Sequence, residues 1–154
     1  MNVSFKNFGQ EEVNQMEVEM RDMDRLEFDA MGFGKPIRES LEYLMTKSVR
    51  SKAAYVDGNL VCIYGATRRS LLSDDCHPWL CATSQVDLPH VRKAFIKRGK
   101  EELSWVLGGF CTAWNLVCVE NKTTIRWLKW MGFQFTEEKH DVRGCTFVKF
   151  EMRA

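Results

Sequence analysis

The stretch 111–136 constrains the fold more than any other part of the chain. It opens with "CTAWNLVCVE", a nearly unbroken apolar run over 111–120, and continues with the short amphipathic pattern "NKTTIRWLKWM". An apolar run without polar alternation is typical of a strand that is covered on both faces. Such a strand, followed at once by a helix, predicts a layered α/β sandwich.

The remaining segments of the 154-residue chain fit the same class. Apolar residues recur at intervals of three and four over 11–31, 36–48 and 89–107, which predicts helices, the first of them able to divide into two. Strand patterns fall at 3–8, 52–56, 60–69, 77–84, 133–138 and 145–153, and the turn "DGN" between the second and third is a strong hairpin signal. We therefore expect a single domain over 1–154, α/β in class, with a mixed sheet of about six or seven strands and helices on both faces.

Charge is balanced overall but unevenly placed along the chain. The net charge is +1, which gives no general attraction to nucleic acid, and direct nucleic-acid binding is not expected. Residues 10–30 are mostly acidic and residues 90–100 are mostly basic. These stretches are either solvated helix faces or surfaces for a charged partner or a phosphate-bearing ligand.

Other patterns argue against several classes of protein. No apolar run approaches the ~20 residues of a membrane-spanning helix. The N-terminal stretch has no secretory signal pattern, so we expect the protein to be made and used inside a cell, with its six cysteines reduced. Cys76, His77 and Cys81 lack a second pair of ligands at zinc-site spacing, and no metal site is expected.

Asn121 and Gly132 bracket the helix that follows the buried strand. Asn121 has the side chain of a helix N-cap, and Gly132 can supply the left-handed residue that ends a helix. Ile125, Leu128 and Met131 are then expected to face the sheet. These structural roles account for the segment, and they leave open whether Asn121 also handles a ligand.

This arrangement resembles the GNAT superfamily of N-acetyltransferases. The resemblance covers 79–136 and rests on an asparagine at the end of a buried strand, a short helix, and Gly-Phe leading into a strand. Asn121 and Gly132 have the family's separation of eleven residues, and Ile125 and Arg126 fall where the family commonly has an apolar residue and an arginine. Within the superfamily the chain is most similar to small acetyltransferase-like proteins of tailed phages, one of which is an internal virion protein of short-tailed phages.

The resemblance implies a site for acetyl-CoA between two splayed parallel strands, 79–84 and 112–119, with the pyrophosphate at the start of the helix that joins them. The family's glycine-rich phosphate loop is missing, because no glycine precedes Gly99 in this stretch. Asp87, which we expect to cap the helix, places a carboxylate near the phosphates, and Pro89 lacks an N–H. Acetyl-CoA binding is therefore expected only if basic side chains compensate. The candidate cofactor-binding residues are Val86, Asp87, Leu88, Arg92, Lys93 and Asn121.

The family's catalytic residues are also incomplete. Many active members carry a tyrosine seven residues after the asparagine, which protonates the departing thiolate, and that position is Leu128 here. Glu120, as a general base, and Asn121 are the catalytic candidates, although a solvated strand-end glutamate is the alternative for Glu120. The possible substitutes for the missing tyrosine are Tyr64, Cys111 and Cys118.

Two functional hypotheses follow. In the first, the protein is a phage-encoded GNAT-like protein without catalysis, a virion-associated assembly or binding module whose partners are other virion proteins. Self-association is compatible with it, and Trp127 or Trp130 would form an exposed contact patch. In the second, it is an active acetyl-CoA-dependent N-acetyltransferase that modifies a protein or a small amine. Both place the protein in the host cytoplasm during infection, and the first also in the virion.

Overall fold

The computed structural model describes residues 1–153, which fold into seven strands, five α-helices and one 3₁₀ turn. The strands are β1 (Val3–Lys6), β2 (Arg50–Val56), β3 (Asn59–Thr67), β4 (Asp75–Ala82), β5 (Thr112–Cys118), β6 (Gln134–Val142) and β7 (Cys145–Arg153). The helices are α1 (Gln10–Glu19), α2 (Asp22–Met31), α3 (Ile37–Lys47), α4 (Pro89–Leu107) and α5 (Lys122–Met131), and the 3₁₀ turn is Ser84–Asp87.

The seven strands of the described chain belong to one mixed sheet with the order β1-β2-β3-β4-β5-β7-β6. Neighbouring strands run antiparallel except β4 and β5, which are parallel. Helix α4 connects this pair because parallel neighbours need a crossover, whereas a short hairpin can join antiparallel ones. The predicted fold class, a mixed sheet with helices on both faces, is confirmed.

Helices α1, α2 and α3 cover one face of the sheet. Val13 and Met16 of α1 and Leu41 of α3 are fully buried, and they pack with Ile63 of β3 and Cys81 of β4. The positions of these residues at three- and four-residue spacing are those that the amphipathic pattern predicts to face the core.

The first predicted helix divides into α1 and α2 at the end of β4. Met20 forms an isolated antiparallel bridge with Thr83, and the Arg21 N–H donates to the Ala82 carbonyl oxygen at 2.9 Å. These backbone contacts replace the helical ones at the division. They also anchor the start of α2 beside the C-terminal end of β4.

The start of α1 is held by a carboxylate that also reaches the sheet. Glu12 Oε1 accepts a hydrogen bond from the Gly9 N–H at 2.9 Å, and its Oε2 accepts one from the Tyr55 hydroxyl at 2.6 Å. Glu12 is 4% exposed, so both of its oxygens are satisfied inside the protein. The contact joins α1 to β2.

Helices α4 and α5 cover the opposite face. Val91 and Val106 of α4 and Leu128 of α5 are buried there with Val117 of β5 and Val148 of β7. The α-helices of the described residues include none long and apolar enough to cross a membrane.

Several strand boundaries differ from the sequence prediction, and two of the differences change the connection that follows. Strand β4 ends at Ala82 because the next residues enter the 3₁₀ turn. Strand β6 continues to Val142, so most of the stretch 139–144, predicted as a polar connection, is strand. The reversal is made by Arg143 and Gly144, whose φ angles of 49° and 84° give the left-handed pair that suits a two-residue hairpin turn.

Candidate functional site

Strands β4 and β5 separate soon after they begin. Farther along, the side chain of Asn115 spans the gap, its Nδ2 donating to the Pro78 carbonyl oxygen at 2.8 Å. The two strands are adjacent, parallel and splayed toward their C-terminal ends, as the sequence predicts. We call the space between them the cleft. Backbone pairing is limited to two residue pairs near the start, Asp75 with Thr112 and Cys76 with Ala113.

Two carboxylates of α2 reach the C-terminal ends of the splayed strands. Asp24 Oδ2 accepts a hydrogen bond from the Ala82 N–H at 2.7 Å. Glu27 Oε2 accepts one from the Cys118 N–H at 3.1 Å. These two hydrogen bonds take the place of the sheet bonds that the splay removes. They matter for stability because a buried backbone N–H without a partner costs about 1 to 3 kcal/mol. We refer to Asp24 and Glu27 as the wedge carboxylates.

Asn121 joins the wedge carboxylates to α5. It is the N-cap of that helix, with its Oδ1 accepting from the Thr124 N–H at 3.3 Å. Its Nδ2 donates to Glu27 Oε1 at 2.5 Å. At 4% exposure, the amide has both of its polar atoms paired inside the protein. The predicted capping role is confirmed, and the contact with Glu27 is an addition that the sequence did not indicate.

Burial raises the pKa of Glu27 to about 7, because removal from water penalises the charged carboxylate. The hydrogen bonds from Cys118 and Asn121 lower the pKa, the nearby Asp24 raises it, and Arg21 lowers it. Arg21 is itself paired with Asp24 at 2.9 Å. A carboxyl group that titrates near pH 7 in a cleft can take up a proton under ordinary conditions.

An apolar cavity of about 880 Å³ follows the cleft and reaches both helix layers. Phe28 and the wedge carboxylates line it from the α2 side, and Phe95, Trp127 and Leu128 line it from the α4–α5 side. Because both layers contribute to one cavity, the cavity crosses the sheet where β4 and β5 part. Its volume lies within the usual range for small-molecule sites, about 300 to 1,000 Å³.

The cavity has no family tyrosine, and the three possible substitutes do not replace it. Leu128 lines the cavity with no donor group. Tyr64 also lines it, but its hydroxyl donates to Glu102 Oε1 at 2.5 Å, and burial raises its pKa. Cys118 is buried, with its pKa raised by burial, and Cys111 is exposed at the opposite end of β5. None of these four residues is therefore placed to donate a proton to a departing thiolate.

The segment predicted to hold a pyrophosphate uses several of its amides internally. The Val86 N–H donates to the Thr83 carbonyl oxygen at 3.2 Å, and the Leu88 N–H donates to the carbonyl oxygen three residues earlier at 3.1 Å. Leu88 is the N-cap of α4 and makes no side-chain capping bond. The prediction that Asp87 caps α4 is wrong, because the 3₁₀ turn includes Asp87 and delays the start of the helix.

A polar recess of about 570 Å³ forms the mouth of the cleft. Its lining brings together three predicted site residues, Asp87, Glu120 and Asn121. Glu120 is exposed, as a solvated strand-end residue would be. Arg92 and Lys93 lie outside this lining, and Arg92 pairs with Asp87 at 3.5 Å. The recess therefore presents four acidic residues (Glu19, Asp22, Asp87 and Glu120) against two basic ones (Arg21 and Lys122), while Arg92 and Lys93 stand outside it.

The wedge carboxylates are the residues that sequence reasoning missed, since the acidic stretch 10–30 was interpreted as a solvated face or a partner surface. A signal was present: Val13, Met16, Met20, Asp24 and Glu27 continue one stripe at three- and four-residue spacing. A charged residue at a core-facing position indicates a buried polar site, because charges are seldom buried without a partner. Within residues 1–153, no cluster of three or more His, Cys, Asp or Glu side chains could hold a metal ion.

Comparison with known proteins identifies the fold. No protein-family model matches the chain, and no curated protein matches it. The chain is similar to the solved structure of a GNAT-family acetyltransferase from Streptococcus pneumoniae, with a TM-score of 0.60, 7% identity, and coverage of 99% of this chain and 100% of that one. It is also similar to spermidine N-acetyltransferase from Vibrio cholerae in complex with CoA and spermine, with a TM-score of 0.68, 11% identity, and coverage of 98% and 95%.

A third similar structure is the ribosomal-protein-S18-alanine N-acetyltransferase from Escherichia coli, with a TM-score of 0.65, 11% identity, and coverage of 99% of this chain and 94% of that one. Identities this low establish the fold alone. The chain has the fold of the GNAT acetyltransferases over nearly its whole length, with the splayed strand pair at its centre.

Proposed function

We propose that this protein is a non-catalytic binding or assembly module built on the acetyltransferase fold. The observation that carries the proposal is the pair of hydrogen bonds from the Ala82 and Cys118 amides to the wedge carboxylates. Amides at the ends of splayed strands are the donors that an acyl or amide oxygen entering the cleft would use. Here an entering ligand must break both bonds and leave Asp24 and Glu27 short of partners, which costs free energy.

The mouth of the cleft does not fit the pyrophosphate of acetyl-CoA. Glu19, Asp22, Asp87 and Glu120 line the recess against Arg21 and Lys122, and Arg21 is already paired with Asp24, so negative charge is in excess and repels a pyrophosphate. Pro89 begins α4 without an N–H, and the amides of Val86 and Leu88 have intramolecular partners. The positive end of a helix dipole is thus present, but Val86, Leu88 and Pro89 offer it no free amide.

Titration calorimetry with acetyl-CoA at low salt tests this proposal. The expected dissociation constant is poorer than about 100 μM, equivalent to less than roughly 5.5 kcal/mol. Low salt is the demanding condition, because it favours any contribution from exposed basic side chains. Micromolar binding that is lost on Arg92→Ala would contradict the proposal and would show that side chains replace the phosphate loop.

The partner side of the proposal rests on the resemblance to small proteins of tailed phages. We infer a virion-associated role, with other virion proteins as partners and the host cytoplasm as the place of synthesis. The 40% exposed Trp130 supports a contact surface, since large aromatics are enriched at interfaces. Peptide mass spectrometry of gradient-purified particles should detect the protein at a fixed copy number. Its absence from particles, with abundance in the infected cell, would refute this role.

One observation favours a second candidate, an active N-acetyltransferase. Glu27, with a pKa of about 7 beside Asn121 in the cleft, has the chemistry of a base that accepts a proton from an amine. Similar structures include acetyltransferases that act on spermidine and on an alanine of ribosomal protein S18, as their names state. Release of free CoA from acetyl-CoA, measured over a panel of amines and peptides, separates the candidates. Turnover that Glu27→Gln abolishes and Glu120→Gln preserves would establish the second.

A further inference from the structure

Helices α4 and α5 form a strongly basic surface that begins at the mouth of the cleft, where Lys122 lines the recess, and extends away from it. The two helices contact each other through the ring pair of Phe95 and Trp127, and Trp130 lies near Gly99. Their outer surfaces therefore form one continuous face. Helix α4 contributes the exposed residues Arg92, Lys93, Lys97 and Lys100. Helix α5 contributes the exposed residues Lys122, Arg126 and Lys129. We call these seven residues the basic face.

Few residues of the basic face are paired with a carboxylate, although Lys122 lines the recess together with acidic residues. Arg92 contacts Asp87 at 3.5 Å, and within the described chain it is the only one of the seven that lies within 4 Å of a carboxylate. Lys100 Nζ lies 4.7 Å from the ring centroid of Trp130. The ring attracts the ammonium group but carries no net charge, so the positive charge is not neutralised. The charge of this surface is therefore available to a partner.

The overall charge of the chain conceals this surface. Helices α4 and α5 carry eight lysines and arginines and two glutamates. Helices α1 and α2, on the opposite face of the sheet, carry eight aspartates and glutamates and one arginine. The two sets nearly cancel in the net charge of +1. The sequence expectation that nucleic acid would not bind rested on that net value, whereas binding depends on the local field of one surface.

We propose that the basic face binds the phosphate backbone of single-stranded nucleic acid without sequence preference. Lys93 and Lys97 are four residues apart on α4, as are Lys122 and Arg126 on α5, so each helix carries a row of cations about 6 Å apart. Such rows neutralise successive phosphates, which supplies affinity but reads no bases. Trp130, 40% exposed at the edge of the face, offers a ring on which a base can stack when Lys100, which lies over it, turns to a phosphate.

Fluorescence anisotropy with a labelled single-stranded 20-mer of mixed sequence tests the proposal. If four to seven cations contact phosphates, the logarithm of the binding constant should fall with the logarithm of salt concentration with a slope between about −3 and −5. Affinity should then weaken roughly 60- to 1,000-fold between 50 and 200 mM salt. Unlabelled poly-L-glutamate at equal charge should compete poorly, because it offers neither phosphates nor bases.

Charge-reversal variants locate the surface. The double variant Lys97→Glu, Arg126→Glu changes one exposed residue on each helix and should lose binding at least tenfold. The matched control Lys35→Glu, Lys47→Glu reverses two exposed lysines on the other side of the sheet, beside the start and at the end of α3, and should bind as the parent does. Circular dichroism and urea melts of each variant establish that it folds. The proposal is overturned by no saturable binding at 50 mM salt, by unchanged binding of the double variant, or by equal competition from poly-L-glutamate, which would indicate an acidic protein partner.

Discussion

Replacing Glu27 with glutamine should change how the stability of this protein depends on pH. The carboxyl group has a pKa of about 7 in the folded protein and 4.5 as a reference value. The folded state therefore binds the proton more tightly than the unfolded chain does. The stabilising contribution of protonated Glu27 is complete below about pH 4.5 and is lost as pH rises to about 7.

The size of the effect follows from the same two values. One pKa unit corresponds to about 1.4 kcal/mol, so the full shift corresponds to about 3 kcal/mol of unfolding free energy. Glutamine stays neutral at every pH and lacks this loss. The free energy of unfolding of Glu27→Gln, minus that of the parent, should therefore rise by up to about 3 kcal/mol between pH 5 and pH 8. For a chain of this length, such a change equals roughly 6 to 12 °C in Tm.

Urea melts followed by circular dichroism, at half-unit steps from pH 5 to pH 8, provide the measurement. Other groups that titrate in this range are common to both proteins and cancel in the difference. Glu120→Gln is the matched control, because it removes an exposed carboxylate at the mouth of the same cleft and should follow the parent. Parallel pH profiles for the parent and Glu27→Gln would refute the reasoning.

Three further substitutions test the packing. Gly132→Val should destabilise by about 1 kcal/mol or more, because Gly132 has φ 106° at the end of α5, and an unchanged urea midpoint would contradict this. Tyr55→Phe should cost about 1 to 3 kcal/mol by removing the 2.6 Å hydrogen bond to buried Glu12, and a urea midpoint within error of the parent would exclude that bond as a stabilising contact. Gly99→Ala should stabilise by up to about 1 kcal/mol, since helix propensity rises and the added Cβ would lie 3.6 Å from Trp130, an ordinary contact; a lower Tm would show that the helix pair cannot accept a methyl group.

The parts of the structure that the sequence predicts are those specified by local chemistry. The turn at Asp57 and Gly58 has φ angles of 51° and 82°, the left-handed pair that Asp-Gly favours. Asn121 caps α5 and Gly132 ends it, because each role depends on residues within one helical turn. The turn at Arg143 was missed, since an arginine at positive φ is uncommon and gives no signal.

The candidate site was predicted less well because its contacts are long-range. Asp24 meets its amide partner 58 residues away, and Glu27 meets its partner 91 residues away. No local pattern distinguishes a carboxylate that is buried by such a partner from one that is solvated, apart from its place in an apolar stripe. The parallel pairing of β4 and β5 was predicted because a crossover helix between two apolar runs restricts the topology, whereas their splay was implied by the resemblance to the GNAT superfamily.

The hydrogen bonds that the Ala82 and Cys118 amides donate to the wedge carboxylates also attach α2 to the ends of the splayed strands. These contacts join residues far apart in the chain, and such long-range contacts form after local structure during folding. Their release is a local opening that need not unfold the core. The amides of Ala82 and Cys118 donate to side chains of one helix, so one undocking event exposes both to solvent. Their hydrogen-exchange rates should therefore respond together, and should accelerate together in Glu27→Gln if α2 moves as a unit. The exchange rates of these two amides, one on each side of the cleft, therefore measure how often α2 detaches from the ends of the strands.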